Sequence, residues 1–428
     1  MQIVLVSGLS GSGKSIAIAV LEDIGFYCVD NLPLAMLQPL VDYLKREGHT
    51  RIAIAIDARS SASFSQLPRV DEALREQRDW MHNPTVLSGD LAGDDAAVGG
   101  VVTTVDDIVG RNSRRVVEGS NDASSVLDGF TITAGDGHDC AGMAAGPMQL
   151  ANLAFSGSGS AICAGGLCLG GGASLSNVLF TGNRAERGGG LVVEHSSPTL
   201  SNVTFEDNVA THEGGGAYIY GMGTVRIVEA ILARNSAEQR GGGLAIDTLS
   251  QVILDRVTYT ENDASRGGGI SVVDSKLTLR NVAISDNTAQ EDGGGLHVSG
   301  GSIDAANLLV VGNTAQRDGG GIANLDSQVG MVNATIAYNK APTGKGGGIA
   351  NLGAKSTPLK NTIVWGNEAA TDAQIHDATP PGSGGEYECL VQDRYRNCRK
   401  GAADRPPFRR EGRQAALADP KFSLQPAN

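Results

Sequence analysis

Four registers repeat in step along most of this chain, and they limit what it can fold into. Asn152, Asn177, Asn202, Glu229, Arg256, Asn281, Asn307, Asn333 and Asn361 recur at intervals of 25–28 residues. Three positions after each stands an apolar side chain: Phe155, Phe180, Phe205, Leu232, Tyr259, Ile284, Val310, Ile336 and Val364. Three further on come Ser158 and then Asn183, Asn208, Asn235, Asn262, Asn287, Asn313, Asn339 and Asn367. Triple glycines open at Gly188, Gly214, Gly241, Gly267, Gly293, Gly319 and Gly346. A period this short cannot bury its own apolar face, so successive periods must stack as a solenoid.

The kind of coil follows from what fills each period. Leu277-Thr-Leu-Arg-Asn-Val-Ala-Ile284 is a β-branched run; Asn287, a glycine triplet and a second short run, Leu296-His-Val298, come after it. No stretch inside a period has helical periodicity, so strands stack on strands with turns between. At a strand spacing of ~4.8 Å, roughly nine to ten coils would span ~40–48 Å. Asparagine recurring at a corner suits a hydrogen-bonded side-chain ladder and tolerates left-handed backbone. Glycine triplets suit a corner where φ must be positive or side chains would collide. The expected fold class is mainly β: a right-handed parallel β-helix over residues 127–388, with a lead-in at 69–126 and a closing segment at 389–428.

Composition divides the chain. Residues 1–68 hold 5 of the 59 glycines, so a glycine-poor segment precedes the repeats, and the join falls near Pro68–Glu76. The net charge of −13 argues against a general polyanion binder, because neutralising phosphates needs clustered Lys and Arg. No apolar run reaches the ~18 residues of a membrane-spanning helix, so no membrane span is expected.

The first segment opens with the apolar run Ile3–Val6 and continues Gly8-Leu9-Ser10-Gly11-Ser12-Gly13-Lys14-Ser15. This is G-x-x-x-x-G-K-S after a predicted strand and before a helical pattern, the context a phosphate-binding loop requires. Its backbone N–H groups would turn inward around a polyphosphate, with Lys14 reaching the β- and γ-phosphates. The Ser15 hydroxyl would ligate Mg²⁺ brought in with the nucleotide. A second strand at Phe26–Val29, a helix from Pro33 to about Glu47 and a third strand at Arg51–Asp57 complete a β-α-β-α-β start of a parallel sheet.

Val6 to Ser15, Leu21-Glu-Asp-Ile-Gly-Phe-Tyr-Cys-Val-Asp-Asn-Leu-Pro33 and Ile54-Ala-Ile-Asp57-Ala58-Arg59-Ser60 closely resemble the RNase adapter protein RapZ family. The resemblance covers residues 1 to about 68. It implies ATP binding at Gly8–Ser15 and a guanine-nucleotide contact at Asp57, Ala58, Arg59 and Ser60, with ATP or GTP and Mg²⁺ as cofactors. The remainder of that nucleotide domain and the family's RNA-binding domain have no counterpart after residue 68. The segment thus reads as a truncated α/β P-loop fragment with weak nucleotide affinity, and RNA is not an expected partner. A nucleotide-binding regulator, an ATPase or GTPase of adapter type, is the alternative reading this fragment supports.

Phe180-Thr-Gly-Asn183 and Phe205-Glu-Asp-Asn208, with the Gly-Gly-Gly-Leu/Ile elements, resemble the repeats of polymorphic outer-membrane proteins and related bacterial β-helix proteins of pectin-lyase-like fold. Arg78-Asp-Trp80 to Asp90 looks like the amino-terminal lead-in of that family, and Leu127-Asp-Gly-Phe-Thr-Ile-Thr133 like an opening coil. Thr362–Asn367, Cys389-Leu-Val-Gln392 and Asp419-Pro-Lys-Phe422 look like closing coils. The resemblance implies a secreted or cell-surface scaffold for adhesion to glycan or protein. No export signal precedes Met1-Gln2-Ile3, so the sequence as written reads as cytoplasmic.

A polysaccharide lyase or hydrolase is a third reading, for which Asp286 with Asp292 or Asp207 with Glu213 would be the paired acids. Solvated charges on corner loops explain the same residues, and no catalytic residue is assigned. Asp90, Asp94 and Asp95 could hold Ca²⁺ through oxygen ligands. His138 near Asp136 and Asp139 is a mild cluster without metal-ligand spacing. One disulfide among Cys140, Cys163 and Cys168, and another between Cys389 and Cys398, would suit an oxidising compartment. Residues 394–413 carry seven Arg and one Lys and read as a basic tail.

Overall fold

The computed structural model of the chain describes residues 2–8, 18–23, 25–33, 36–57, 80, 84–353, 355–378 and 387–391. Near the amino terminus, β1 (Gln2–Gly8), β2 (Tyr27–Leu32) and β3 (Arg51–Asp57) form a parallel sheet in the order β1-β3-β2. Strand β3 is central, and Ile52, Ala53, Ile54 and Ala55 are buried. Helix α1 (Leu37–Arg46) lays Leu37, Val41 and Leu44 on Ile52 and Ile54. Ile18 and Phe26 close the opposite face over Ala53 and Ala55. The helix starts later than the expected Pro33, and Pro39 supplies the reason. A proline without an N–H fits the first turn of a helix and breaks an interior one.

Two compact units divide the chain, Met1–Glu238 with Gly242–Ala245 and Gln239–Gly241 with Ile246–Asn428. Coils of a β-helix occur in both, and each coil contributes strands to three parallel sheets. In the first unit, sheet one contains Gln149–Ser156, Ser174–Thr181, Thr199–Glu206 and Thr224–Ala233. Their register stacks Phe155 on Phe180, Phe205 and Leu232, the apolar series seen in the sequence. The three phenylalanine rings lie nearly parallel, with centroids 5.0 and 4.6 Å apart. In the second unit Tyr259 stacks on Ile284, Val310, Ile336 and Val364 in the same way.

The two asparagine registers occupy two different places, one inside the strands of sheet one and one at a corner. The Asn152 series lies within sheet one at left-handed φ, 52° at Asn152 and 54° at Asn177 and Asn281. Each such residue adds one outward position, so the inward alternation resumes after it, as from Leu279 to Val282. The amides bond from coil to coil on the surface: Asn177 to Asn152 at 3.0 Å, Asn202 to Asn177 at 2.7 Å, Asn307 to Asn281 at 3.0 Å. The Asn183 series is buried between sheet one and sheet two. There Asn183 donates to the Phe155 carbonyl at 2.9 Å and to Asn208 Oδ1 at 3.0 Å, and its own N–H also reaches Asn208 Oδ1. Asn287 and Asn313 repeat the same set in the second unit. A buried amide with its donor and acceptor both engaged avoids the desolvation cost of an orphaned group.

The glycine corner lies between sheet two and sheet three. Gly188 has φ of 62°, and a Cβ on Gly189 would stand 2.5 Å from the carbonyl oxygens of Gly215 and Val209. Conformation therefore calls for the first glycine of the triplet, and coil-to-coil spacing for the second.

The array extends beyond the nine counted registers. Thr85–Ser88 and Phe130–Thr133 join sheet one ahead of Gln149–Ser156, and Tyr387–Val391 pairs with Leu359–Trp365 at the other end. The segment around Val102 closes over the first coils. The Thr133 hydroxyl meets both its N–H and its carbonyl at 3.0 Å, and Ser156 donates to the same carbonyl at 2.8 Å.

Candidate functional site

In the amino-terminal sheet, Gly8 is the register partner of Asp57. Both close parallel neighbouring strands, at one edge of the sheet. Ligands of open parallel sheets bind outside the carboxyl ends of the strands, at that edge. The strand order thus sets Gly8 beside Asp57, the first residues of two stretches that lie almost fifty residues apart in the sequence. Leu9, Ser10, Gly11, Ser12, Gly13, Lys14, Ser15, Ala58, Arg59 and Ser60 themselves lie outside the described residues.

On the β-helix, three of the four carboxylates considered for hydrolysis, Asp207, Glu213 and Asp292, face arginines. Arg234 forks onto Asp207 at 2.9 and 3.0 Å, and Arg187 stands 3.9 Å from Glu213. Arg317 forks onto the buried Asp292, with Nε 2.9 Å from Oδ1, and this bond raises the arginine's already high pKa. Asp207 sits at a left-handed corner and Glu213 at the far end of the sheet-two strand Val209–Glu213. The two therefore stand at opposite ends of this stretch of coil. Asp286 likewise occupies the left-handed corner, with φ of 57°, and Asp292 the glycine corner. Asp207, Glu213 and Asp292 thus tie neighbouring coils together.

Asp90, Asp94 and Asp95 do approach one another, with candidate ligand oxygens within 4.8 Å. The Asp90 carboxylate already accepts the Gly93 N–H at 2.6 Å and those of Asp94 and Asp95. Asp95 accepts from the Val109 N–H and the Asn112 amide, both at 2.6 Å. These bonds fix a turn. His138 lies 3.2 Å from Asp139 at the surface. Among the first three cysteines of the β-helix, Cys140 and Cys168 are bridged, Cα atoms 5.5 Å apart, and Cys163 is free. Burial pushes the Cys163 thiol pKa up, and nearby Asp139 adds to it. Cys398 and the basic stretch 394–413 lie outside the described residues.

Stacking also builds groupings that sequence reading missed. On sheet three, register places Gly170 beside Glu194 and Glu194 beside Tyr220. Tyr220 lies against Tyr218, ring centroids 5.1 Å apart, and edge-on to His195 at 5.8 Å. In the second unit, Ser271 stacks on His297, and both are buried. Burial drives the His297 pKa down to about 4 against the pull of Asp292. The usable signal was the offset of ~26 residues, applied to polar positions as well as apolar ones.

With this geometry in place, known proteins fall into two groups. Residues 1–97 match the family model of the RapZ-like N-terminal domain, and residues 201–364 match that of the right-handed β-helix region. A nucleotide-binding protein of Thiobacillus denitrificans is 80% identical over 77 residues, 18% of this chain and 28% of that protein. Nucleotide-binding proteins of Burkholderia mallei (strain SAVP1) and Burkholderia pseudomallei (strain 668) are 56% identical over 79 residues, 18% of this chain and 27% of each of theirs. The chain thus spans little more than a quarter of the length of these curated relatives. No solved structure matches it.

By class, then, the chain is a parallel β-solenoid with a short α/β segment before it. That segment is similar to the RapZ-like N-terminal domain and the repeats that follow are similar to the right-handed β-helix region, a chimera-like arrangement. The amino-terminal match runs past Pro68 and takes in Thr85–Ser88, which pairs within sheet one. Among the described residues, no helix is long and apolar enough to cross a membrane.

Proposed function

We propose that the β-helix is a non-catalytic scaffold that holds glycan or protein surfaces, with a nucleotide-binding element at its amino-terminal side. The observation that carries the scaffold reading is the use of the corner carboxylates in coil-to-coil ion pairs such as Arg317 with Asp292. Acids committed in this way are poor general acids or bases. The Cys140–Cys168 bridge supports action in an oxidising setting such as a cell surface.

The second reading, nucleotide-dependent regulation, is favoured by the register of Gly8 with Asp57. ATP or GTP with Mg²⁺ would lie at that sheet edge, held by the backbone of Gly8–Ser15 and by Lys14, with Ser15 on the metal and Asp57–Ser60 beside it. Equilibrium binding of Mg·ATP and Mg·GTP to the full chain and to Lys14→Ala tests this. Saturable binding below ~1 mM that Lys14→Ala abolishes is expected, because the phosphates lose their cation. No binding to the unaltered chain contradicts the nucleotide reading. Screening the full chain on a glycan array tests the scaffold reading, which expects retention without cleavage products.

A further inference from the structure

Three cysteines meet where sheet two turns into sheet three in the first coils. Cys140 and Cys168 are bridged from one coil to the next, and Cys163 holds a free thiol. Cys163 ends the sheet-two strand Gly159–Cys163, and Cys168 lies in the sheet-three strand Leu167–Gly170 of the same coil. The turn between them brings both side chains against one buried cluster of Ala164, Val192, Tyr218 and Ala245. Cys140 sits one coil earlier, beside Cys163, and its N–H donates to the Cys163 carbonyl at 2.9 Å. The free thiol therefore lies within one coil step of both bridged residues.

The two bridged sulfurs have unlike surroundings. Cys168 packs on apolar and aromatic side chains, which disfavour a thiolate. Beside Cys140, the Arg115 guanidinium donates to the carbonyls of Cys140 and Asp139, at 3.3 and 3.5 Å, and also pairs with Glu118. A cation there favours a thiolate on Cys140, which makes it the better leaving group of the two.

We propose that this bridge is exchangeable: Cys163 displaces Cys140 from Cys168 and leaves a free thiol at Cys140. The Cys163 thiolate attacks Sγ of Cys168, a Cys163–Cys168 bond forms, and the Cys140–Cys168 bond breaks. Its electron pair leaves on Cys140 Sγ, which takes up the proton that Cys163 lost. One bridge and one thiol stand on each side, so no oxidant or reductant is consumed. The exchange turns a tie between two coils into a tie within one, and it moves the thiol next to the exposed His138 and Asp139. Burial and the Asp139 carboxylate raise the Cys163 pKa, Glu194 and Glu186 add to this, and Arg187 opposes it. A largely protonated thiol attacks slowly, so the resting bridge persists at neutral pH.

Alkylating the full chain with iodoacetamide after incubation at about pH 8.5, then locating the label by digestion and tandem mass spectrometry, tests the exchange. Label should appear on Cys140 in at least about a tenth of the chains and on Cys163 in the rest. The Cys140 share should not change with protein concentration, and Cys163→Ala should remove it. Arg115→Gln should lower it about threefold, because the thiolate loses its cation. Cys140→Gly suits the backbone, since φ is 51° at Cys140 and 62° at Gly188, which holds the same place in its coil. That variant, treated with oxidised glutathione, should form the Cys163–Cys168 bridge and keep the β-sheet circular dichroism of the unaltered chain. Label confined to Cys163, label on Cys140 that survives Cys163→Ala or grows with concentration, or no bridge in the Cys140→Gly chain overturns the proposal.

Discussion

In the amino-terminal sheet, the central strand Arg51–Asp57 is covered on both faces, while Ile3, Val4, Val6, Cys28 and Val29 of the flanking strands are only partly buried. In the β-helix, Phe180 has Phe155 on one side and Phe205 on the other, and Asn208 bonds to both Asn183 and Asn235. The first arrangement draws its core from one short sheet and the elements packed on it. The second draws it from repetition, because each coil is the template for the next and adds its own layer of core. A three-stranded sheet with so little buried surface is a marginal fold alone, whereas an interior coil is supported from two sides. The surfaces divide the same way. The small sheet gathers Gly8 and Asp57 at one edge, and the long faces of the coils present broad surfaces.

The comparison can be broken first at the buried ladder. Asn208→Ala would leave the Asn183 N–H, the Phe180 carbonyl and the amides of Asn183 and Asn235 short of partners, a cost of about 3–4 kcal/mol. Urea unfolding followed by circular dichroism should show a large fall in midpoint. The exposed counterpart Asn202→Ala removes one surface bond and an easy left-handed residue, about 1 kcal/mol. Equal effects at the two sites would contradict the assignment of a buried and an exposed ladder.

A smaller effect should appear on acidification. His297 is neutral in the folded chain down to about pH 4, whereas an unfolded histidine protonates near 6.5. Its contribution is therefore complete above pH 6.5 and falls as pH drops from there toward 4, by up to about 3 kcal/mol. His297→Leu should flatten the midpoint-against-pH curve over that window, and an unchanged slope would place the acid sensitivity elsewhere.

Much of this was legible from residues. Four registers gave strands, corners and the apolar stack, and the apolar runs of the first segment gave a parallel sheet. Which asparagine register is buried was not read, yet the substitutions carried the signal. Glu229 and Arg256 replace asparagine only in the Asn152 series, where the side chain reaches water. In the Asn183 series a charged group would be stranded, and from Asn183 to Asn367 the residue never varies. Strand order was beyond the sequence reading, since spacing along the chain does not say that β1 lies beside β3. The bridge between Cys140 and Cys168 depended on which cysteine each coil turns toward its neighbour.

Hydrogen exchange of the full chain, with and without saturating Mg·ATP, tests the central contrast most directly. Amides in the coils around Asn183, Asn208, Asn287 and Asn313 should be protected at least ~10²-fold more strongly than those of β1, β2 and β3, and nucleotide should slow exchange only in those three strands. Uniform protection across both regions, or a nucleotide effect confined to the coils, would contradict the account.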